Sequence, residues 1–240
     1  MAVQRITLPL FISLAGIMLF LSWYLPVDHG WWALPDHAVF RFFNTPLAGN
    51  HSLAVFIAVI NNRAFVLAAL LLMGLIYYAA FRKQDSDGKR RLVMAGVVMV
   101  ISAVLINQAG QAIPFNRLSP TLELDAVHRV SDITGIFTKD ASKSSFPGDH
   151  GLMLIIFAAF VWRYAGFRYF AAAVLLTIIF SLPRIMAGAH WFSDIMAGSL
   201  SLALITVPWI LLTPLSDQCV NFLVRHMPRY PILQRKFHIS

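Results

Sequence analysis

Two histidines, an aspartate and two arginines have the types and spacing that could do chemistry in this sequence. Arg184, His190 and Asp194 stand within one short stretch, 183–194. In a helix, a spacing of four places His190 and Asp194 on one face, where the carboxylate can accept a hydrogen bond from the imidazole. Such a bond would fix the tautomer and raise the basicity of the other ring nitrogen, as a nucleophilic histidine requires. By itself the pair also fits a plain hydrogen bond or two metal ligands.

A second histidine, His150, ends the sequence Ser-Ser-Phe-Pro-Gly-Asp-His at 144–150 and is predicted to stand at the start of a helix. The N-terminus of a helix attracts anions because its first backbone N–H groups have no partner within the helix. Arg117 and Arg184 add two guanidinium groups, whose planar forks match the paired oxygens of a phosphate. The two histidines, the two arginines and the helix start together predict a phosphoryl-transfer site.

The elements that must position these residues are membrane helices. Of the 240 residues 58% are hydrophobic and 12% are charged, and the mean hydropathy of +0.69 excludes an ordinary soluble domain. A bilayer core roughly 30 Å thick is crossed by about 20 helical residues. We therefore predict an all-α integral membrane protein, a single domain over 1–240 with its motifs at 107–198. Its six predicted transmembrane helices centre on the apolar segments 6–25, 64–81, 92–106, 151–162, 169–182 and 195–212.

The basic residues sort by loop. Twelve of the nineteen lie at the two termini and in alternate loops, which predicts that both termini and the tail at 217–240 are cytoplasmic and that the site faces the other side. The net charge of +8 is then a topological signal rather than a nucleic-acid footprint. Basic residues on the outer side oppose this bias, so some of them need a separate reason. They are Arg41, Arg63, Arg117, Arg129, Lys139, Lys143 and Arg184.

The segment 28–63 is amphipathic and rich in aromatic residues. Aromatic side chains are common where a membrane meets water, because their rings are apolar and their tips are polar. We predict that this segment lies along the outer membrane–water interface.

The chemical residues resemble the three-part signature of the type-2 phosphatidic acid phosphatase superfamily. Arg184, His190 and Asp194 reproduce its Arg-x5-His-x3-Asp motif, His150 ends a Ser-Phe-Pro-x-x-His loop, and Arg117 stands for an upstream arginine. The resemblance implies that His190 attacks phosphorus, Asp194 orients it and His150 protonates the leaving oxygen. It implies that both arginines hold phosphate oxygens, that the intermediate is a phosphohistidine, and that neither a cofactor nor a metal ion is needed. A metal centre at the two histidines and Asp194 is the alternative.

The first motif of this sequence departs from the family pattern. The family has a lysine seven residues before its arginine, whereas this chain has Gly110 there. Three residues could supply the missing donor, and the sequence leaves the choice among them open: Gln108, Gln111 and Lys143.

The second motif departs as well, because Gly148 and Asp149 replace the family's serine and glycine. Gly148 is expected to bind the phosphate. An acid at position 149 should repel a phosphate unless Asp149 pairs with a cation or caps the helix. We therefore expect Asp149, like Lys143, to modulate the site.

The Ser-Phe-Pro-Gly-Asp-His form of the loop resembles the lipid A phosphotransferases of the Gram-negative inner membrane. That resemblance implies undecaprenyl diphosphate as donor, the 1-phosphate of lipid A as acceptor and a site facing the periplasm. A hydrolase acting on undecaprenyl diphosphate or phosphatidylglycerol phosphate is the alternative. A transporter is disfavoured because the polar residues cluster toward one face rather than at mid-span.

Overall fold

A computed structural model describes residues 4–226, and all the regular structure within that range is helical. Two 3-10 segments, Val27–Trp32 and Thr45–Ala48, flank the second helix, and the first of them is kinked at residues 28–30, where φ is positive. A π-helical turn, Asp194–Ser199, runs directly into the tenth. The α-helices are α1 Gln4–Tyr24, α2 Ala33–Asn44, α3 His51–Ile60, α4 Arg63–Arg82, α5 Ser86–Gln111, α6 Pro120–Glu123, α7 Val130–Thr134, α8 Asp149–Ala165, α9 Phe167–Met186, α10 Leu200–Leu211 and α11 Leu215–His226.

Five helical stretches within residues 4–226 are long and apolar enough to cross a membrane: α1, α4, α5, α9 and the π turn continued by α10. Their outward faces are apolar, as lipid contact requires; Leu71 on α4, for example, is 65% exposed. The remaining predicted segment, 151–162, forms α8, which has 17 residues and is shorter than these five. The all-helical membrane class is thus confirmed, and the count of six stays a prediction.

Helix boundaries follow from side-chain caps. The Asn62 side chain accepts a hydrogen bond from the Ala64 backbone N–H at 3.0 Å and starts α4, and Asp85 accepts from Gly88 N–H at 2.8 Å and starts α5. Gly166 alone joins α8 to α9, and its positive φ of 96° is a conformation that L side chains rarely adopt. Consecutive long helices therefore reverse direction over very short turns.

The two faces of the bundle can be identified from α5 and α8, which run antiparallel. At one face, Arg91 of α5 and Arg163 of α8 both pair with Asp217 of α11, the first at 3.4 Å. At the other, Asn107 of α5 and His150 of α8 line the same cavity. Both α5 and α8 therefore reach from one face to the other.

Helix α1 runs antiparallel to α10. The Ser13 hydroxyl donates to the Ile205 carbonyl at 2.9 Å, while ten residues later the Trp23 ring stacks on Phe146, with centroids 4.0 Å apart. The beginning of α1 therefore lies at the face of Asp217, and its end lies at the face of His150. Of the predicted cytoplasmic tail, the part at 227–240 falls outside the described residues.

Helix α8 is the centre of the bundle. Leu152, Ile156 and Phe160 form a buried stripe on it and pack in one cluster with Ala203 and Val207 of α10. Close packing along a helix restricts the movement of the residues in its first turn. His150 is therefore presented from a rigid support.

The segment 28–63 folds back onto the protein. Along and just before α2, Trp32, Asp36, Phe40 and Asn44 recur every four residues, and all four are buried. The prediction that this segment lies along the interface did not foresee this inward stripe. Its position relative to the membrane stays a prediction.

Candidate active site

His190 lies in the bend between α9 and the π turn, and its ring is 3% exposed. Its Nδ1 is 2.7 Å from the Ser145 carbonyl oxygen, so Nδ1 carries the proton that this bond needs. The other ring nitrogen, Nε2, is buried without a hydrogen-bond partner among the described residues. A neutral imidazole held in this way presents its Nε2 lone pair to whatever enters the site.

The expected hydrogen bond from His190 to Asp194 is replaced by the bond to Ser145. The nearest oxygen of Asp194, Oδ2, lies 3.5 Å from Nδ1, which is beyond a normal hydrogen bond. The helical spacing assumed from the sequence is wrong here because His190 lies in a bend and Asp194 begins a π-helical turn. Asp194 thus contributes its negative charge beside the ring rather than the bond that orients it.

Asp194 is fully buried and its two carboxylate oxygens have separate partners. Oδ2 accepts a hydrogen bond from the Trp191 backbone N–H at 2.8 Å, and Oδ1 accepts one from Arg117 Nη1 at 3.0 Å. The first bond closes the turn that follows His190. The second neutralises a carboxylate that would be costly to bury alone.

Arg117 is occupied by protein groups. Its Nη2 donates to Asp36 at 2.7 Å, its Nη1 also donates to the Ser193 hydroxyl at 2.8 Å, and its guanidinium lies over the rings of Trp23 and Trp191 at 5.4 and 4.8 Å. The resemblance implies that Arg117 holds phosphate oxygens, and that role stays a prediction. In this arrangement the side chain supports Asp194.

Asp36 is a site residue that the sequence analysis missed. It is 1% exposed and accepts hydrogen bonds from Ser193 N–H at 2.7 Å, Ser193 Oγ at 2.6 Å and Arg117 Nη2. The sequence did contain a signal for Asp36. Its carboxylate lies on the same helical stripe as Trp32 and Phe40, and an acid on an apolar stripe needs buried polar partners.

His150, about one-third exposed, is paired with its neighbour Asp149. Asp149 Oδ1 lies 2.7 Å from His150 Nδ1 and accepts a second hydrogen bond from the His150 backbone N–H at 2.8 Å. Asp149 therefore pairs with a potential cation, one of the conditions under which an acid beside a phosphate site is tolerated, and its charge stands in the first turn of α8, where a carboxylate is favourable. The role implied for His150, protonation of the leaving oxygen, stays a prediction.

Gly148 joins the start of α8 to the π turn. Its N–H donates to the Asp194 carbonyl at 3.2 Å, and its own carbonyl accepts from Ser199 Oγ at 2.5 Å. A Cβ at this position would lie 2.3 Å from Ile195 Cδ1, so the serine of the family pattern fits only if Ile195 moves. The predicted contact between Gly148 and phosphate is not tested by these bonds.

Arg184, at the end of α9, is 6% exposed, and its Nη1 has no hydrogen-bond partner among the described residues. Together with His150 it lines two cavities. The first, of about 470 Å³, is an apolar groove that continues to Met73 of α4 and Phe157 of α8. The second, of about 490 Å³, is the more polar of the two and is bounded by the loop 137–141. A buried guanidinium with one unpartnered nitrogen, lying between two cavities, indicates a place for an anionic group.

The three candidates for the missing first-motif donor lie outside these cavities. Gln108, Gln111 and Lys143 are exposed and line neither of the two. Besides Arg184, the basic residues that line the second cavity are Arg129 and Lys139. The sequence analysis singled out these two residues only as basic residues on the outer side of the membrane, where they oppose the topological bias.

The metal-centred alternative needs several ligands to converge. Within residues 4–226, no three His, Cys, Asp or Glu side chains form such a group. His150 pairs with Asp149 and His190 with the Ser145 carbonyl. The expectation that the reaction uses no metal stays a prediction.

Comparison with known proteins agrees with the signature. The PAP2 superfamily matches residues 92–216. A protein of Escherichia coli (strain K12) named lipid A 1-diphosphate synthase is 47% identical over 218 residues, which cover 90% of this chain and 92% of that protein. No solved structure matches the chain. The chain belongs to the PAP2 superfamily.

The buried cluster generates a prediction about Asp36. Replacing Asp36 by Ala leaves the Ser193 N–H without an acceptor and removes one carboxylate from Arg117, and breaking a buried ion pair costs about 3–5 kcal/mol. We expect a lower melting temperature in detergent and a loss of turnover of up to about a hundredfold as the turn holding His190 loosens. The exposed acid Asp132 is the control, and Asp132→Ala should change neither quantity. An Asp36→Ala protein with wild-type melting temperature and rate would contradict the cluster's role.

Proposed function

We propose that this member of the PAP2 superfamily is a phosphotransferase that moves a phosphate from undecaprenyl diphosphate to the 1-phosphate of lipid A. The observation that carries the proposal is the His190 ring, whose Nδ1 is fixed by the Ser145 carbonyl while Nε2 is buried without a partner. The 47% identity to a lipid A 1-diphosphate synthase supports the acceptor. The form of the 144–150 loop supports the donor.

In the first half-reaction, His190 Nε2 attacks the terminal phosphorus, and the bond from that phosphorus to the bridging oxygen breaks. His150 gives its Nε2 proton to the departing oxygen, so undecaprenyl phosphate leaves. Asp149, 2.7 Å from His150 Nδ1, stabilises the protonated ring beforehand. The unpartnered Nη1 of Arg184 binds the non-bridging oxygens as negative charge develops on them.

In the second half-reaction, an oxygen of the lipid A phosphate attacks the phosphohistidine and the bond from phosphorus to Nε2 breaks. The attacking phosphate oxygen gives its proton to His150 Nε2, which replaces the proton lost in the first half-reaction. Asp194, whose nearest oxygen is 3.5 Å from His190 Nδ1, stabilises the positive charge that the ring bears while phosphorylated. Arg117 holds Asp194 in this position.

A lipid substrate is supported by the apolar groove. It begins at His150 and Arg184 and continues between α4, α5, α8 and α9 past Leu70 and Met99. A phosphate at the polar end would therefore have its hydrocarbon chain beside it in an apolar channel. Because the groove measures about 470 Å³, it holds only the first part of a long polyprenyl chain.

We place the site at the periplasmic face of the inner membrane and α8 among six crossings. Its 17 residues span about 25 Å, close to the bilayer core, and its two ends lie at opposite faces of the bundle. The face opposite the site carries Arg82, Lys83 and the 89–91 cluster of basic residues, as a cytoplasmic face does. The beginning of α1 and the helix α11 lie at that same face, which supports the prediction that both termini are cytoplasmic.

Cysteine accessibility tests this orientation. The one native cysteine is removed by Cys219→Ser, and Asp132→Cys or Lys83→Cys is introduced at exposed positions on the two faces. A membrane-impermeant thiol reagent applied to intact spheroplasts should label residue 132 and spare residue 83 until the membrane is permeabilised. The reverse pattern would invert the topology.

Label transfer tests the reaction. Purified protein receives undecaprenyl diphosphate labelled in its terminal phosphate, with and without lipid A. We expect label on lipid A with little free phosphate, because a positioned acceptor phosphate outcompetes water in a partly dry site. His190→Ala should transfer no label, and Asp194→Asn should transfer it slowly, since a support residue costs about two to four powers of ten. Rapid phosphate release regardless of lipid A would establish the hydrolase instead.

A further inference from the structure

The more polar of the two cavities is lined by basic side chains in addition to the one that binds the transferred phosphate. Arg129, Lys139 and Arg184 line it together with His150, and Asp140 is the one carboxylate among its lining residues. Arg184 serves the transferred phosphate in the reaction proposed above. Arg129 and Lys139 have no part in that reaction.

The backbone that presents Lys139 is fixed at several points. The Asn61 side-chain amide donates to the Lys139 carbonyl at 2.7 Å, and the Thr138 hydroxyl donates to the Asn61 carbonyl at 3.0 Å. Next to these, the Asn62 amide donates to the Phe137 carbonyl at 3.0 Å. The turn between α3 and α4 therefore holds this strip of loop in place, with the Lys139 side chain exposed at the cavity.

Arg129 is held by a buried acid. Asp140, 1% exposed, accepts from Arg129 Nη2 at 2.9 Å with one oxygen and from the Ser131 N–H at 2.8 Å with the other. The hydrogen bond to Asp140 raises the pKa of the Arg129 guanidinium, so this group stays charged. Its Nε has no hydrogen-bond partner among the described residues.

We infer that this cavity is a second phosphate subsite, in which Arg129 and Lys139 bind the phosphate of a lipid monophosphate. Once the charge of Asp140 is balanced, Arg129 and Lys139 leave one net positive charge in the cavity besides that of Arg184, which attracts a negatively charged phosphate monoester. The unpartnered Nη1 of Arg184, which is nine-tenths buried, marks the boundary between this subsite and the transferred phosphate.

This inference rests on the proposed function, and it explains how one site serves two lipids. In that reaction the leaving group is undecaprenyl phosphate and the acceptor is lipid A, and both offer His190 a lipid-linked phosphate oxygen. The same subsite can therefore hold the first phosphate as it departs and the second as it arrives. His150 lines this cavity, so its Nε2 is near the oxygen that must gain or lose a proton.

The kinetic experiment compares Lys139→Ala with Arg41→Ala, which removes an exposed positive charge from α2 outside the cavity. Losing a hydrogen bond to a charged group should cost at least about tenfold in affinity. We expect Lys139→Ala to lower the rate of protein labelling by undecaprenyl diphosphate about tenfold, and this rate reports the leaving phosphate. We expect it to raise the KM for lipid A by about the same factor, and this KM reports the acceptor. Cleavage of p-nitrophenyl phosphate, whose leaving group has no phosphate, should change less than about twofold.

A change in only one of the two half-reactions, or an equal loss with p-nitrophenyl phosphate, would overturn the shared subsite. Arg129→Lys, which keeps the charge but loses the fork, should fall between Lys139→Ala and the unchanged protein.

A binding measurement separates this inference from the proposed function. Calorimetry on the His190→Ala protein compares methylenediphosphonate, which cannot be cleaved to phosphate, with inorganic phosphate. We expect the diphosphonate to bind at least about tenfold more tightly, and Lys139→Ala to remove that advantage while phosphate binding is unchanged. Equal affinity for the two probes would overturn the subsite even if label reaches lipid A. Tighter binding of the diphosphonate would support the subsite even if the label-transfer experiment released phosphate to water.

Discussion

The buried ion pair between Arg117 and Asp194 is the interaction on which the rest of the site depends. It joins the loop after α5 to the turn before α10, and the second carboxylate on Arg117, from Asp36, ties α2 to both. One guanidinium thus fixes three segments that are far apart in sequence. Burying a charge is costly unless it is paired, so the cluster tolerates little displacement of any member. The turn that carries His190 takes its position from this cluster.

Around that fixed point, the site is divided between an apolar and a polar environment, as a lipid phosphate requires. The groove toward Met73 and Phe157 offers hydrocarbon contact, whereas the loop 137–141 offers cations and backbone groups. His150 and Arg184 stand at the junction because each lies at the end of a long helix, where the bundle gives way to the loops. Chemistry at this boundary needs no path through the membrane. For the proposed reaction, a histidine at one face of an enclosed bundle is sufficient.

The sequence predicted the all-helical membrane class, and the structure gathers His150, Arg184, His190 and Asp194 at one end of the bundle, because hydropathy and motif spacing are local signals. The sequence analysis was wrong where a tertiary contact decides the hydrogen-bond partner of a side chain. The bond from His190 goes to the Ser145 carbonyl because a bend and a π turn replace the assumed α-helix. A hydrogen bond to a distant backbone carbonyl cannot be predicted from the types and spacing of side chains in the sequence. Asp36 was missed for a related reason, since its partners lie about 80 and 157 residues away.

The central claim is that His190 Nε2 becomes phosphorylated, and rapid quenching tests it most directly. Purified protein is mixed with undecaprenyl diphosphate labelled in its terminal phosphate, without lipid A, and the denatured chain is digested for mass spectrometry. We predict label that is stable to alkali, labile to acid and located on residue 190. Adding lipid A before quenching should discharge it. Label on His150, or none on the protein while lipid A still becomes labelled, would contradict the account.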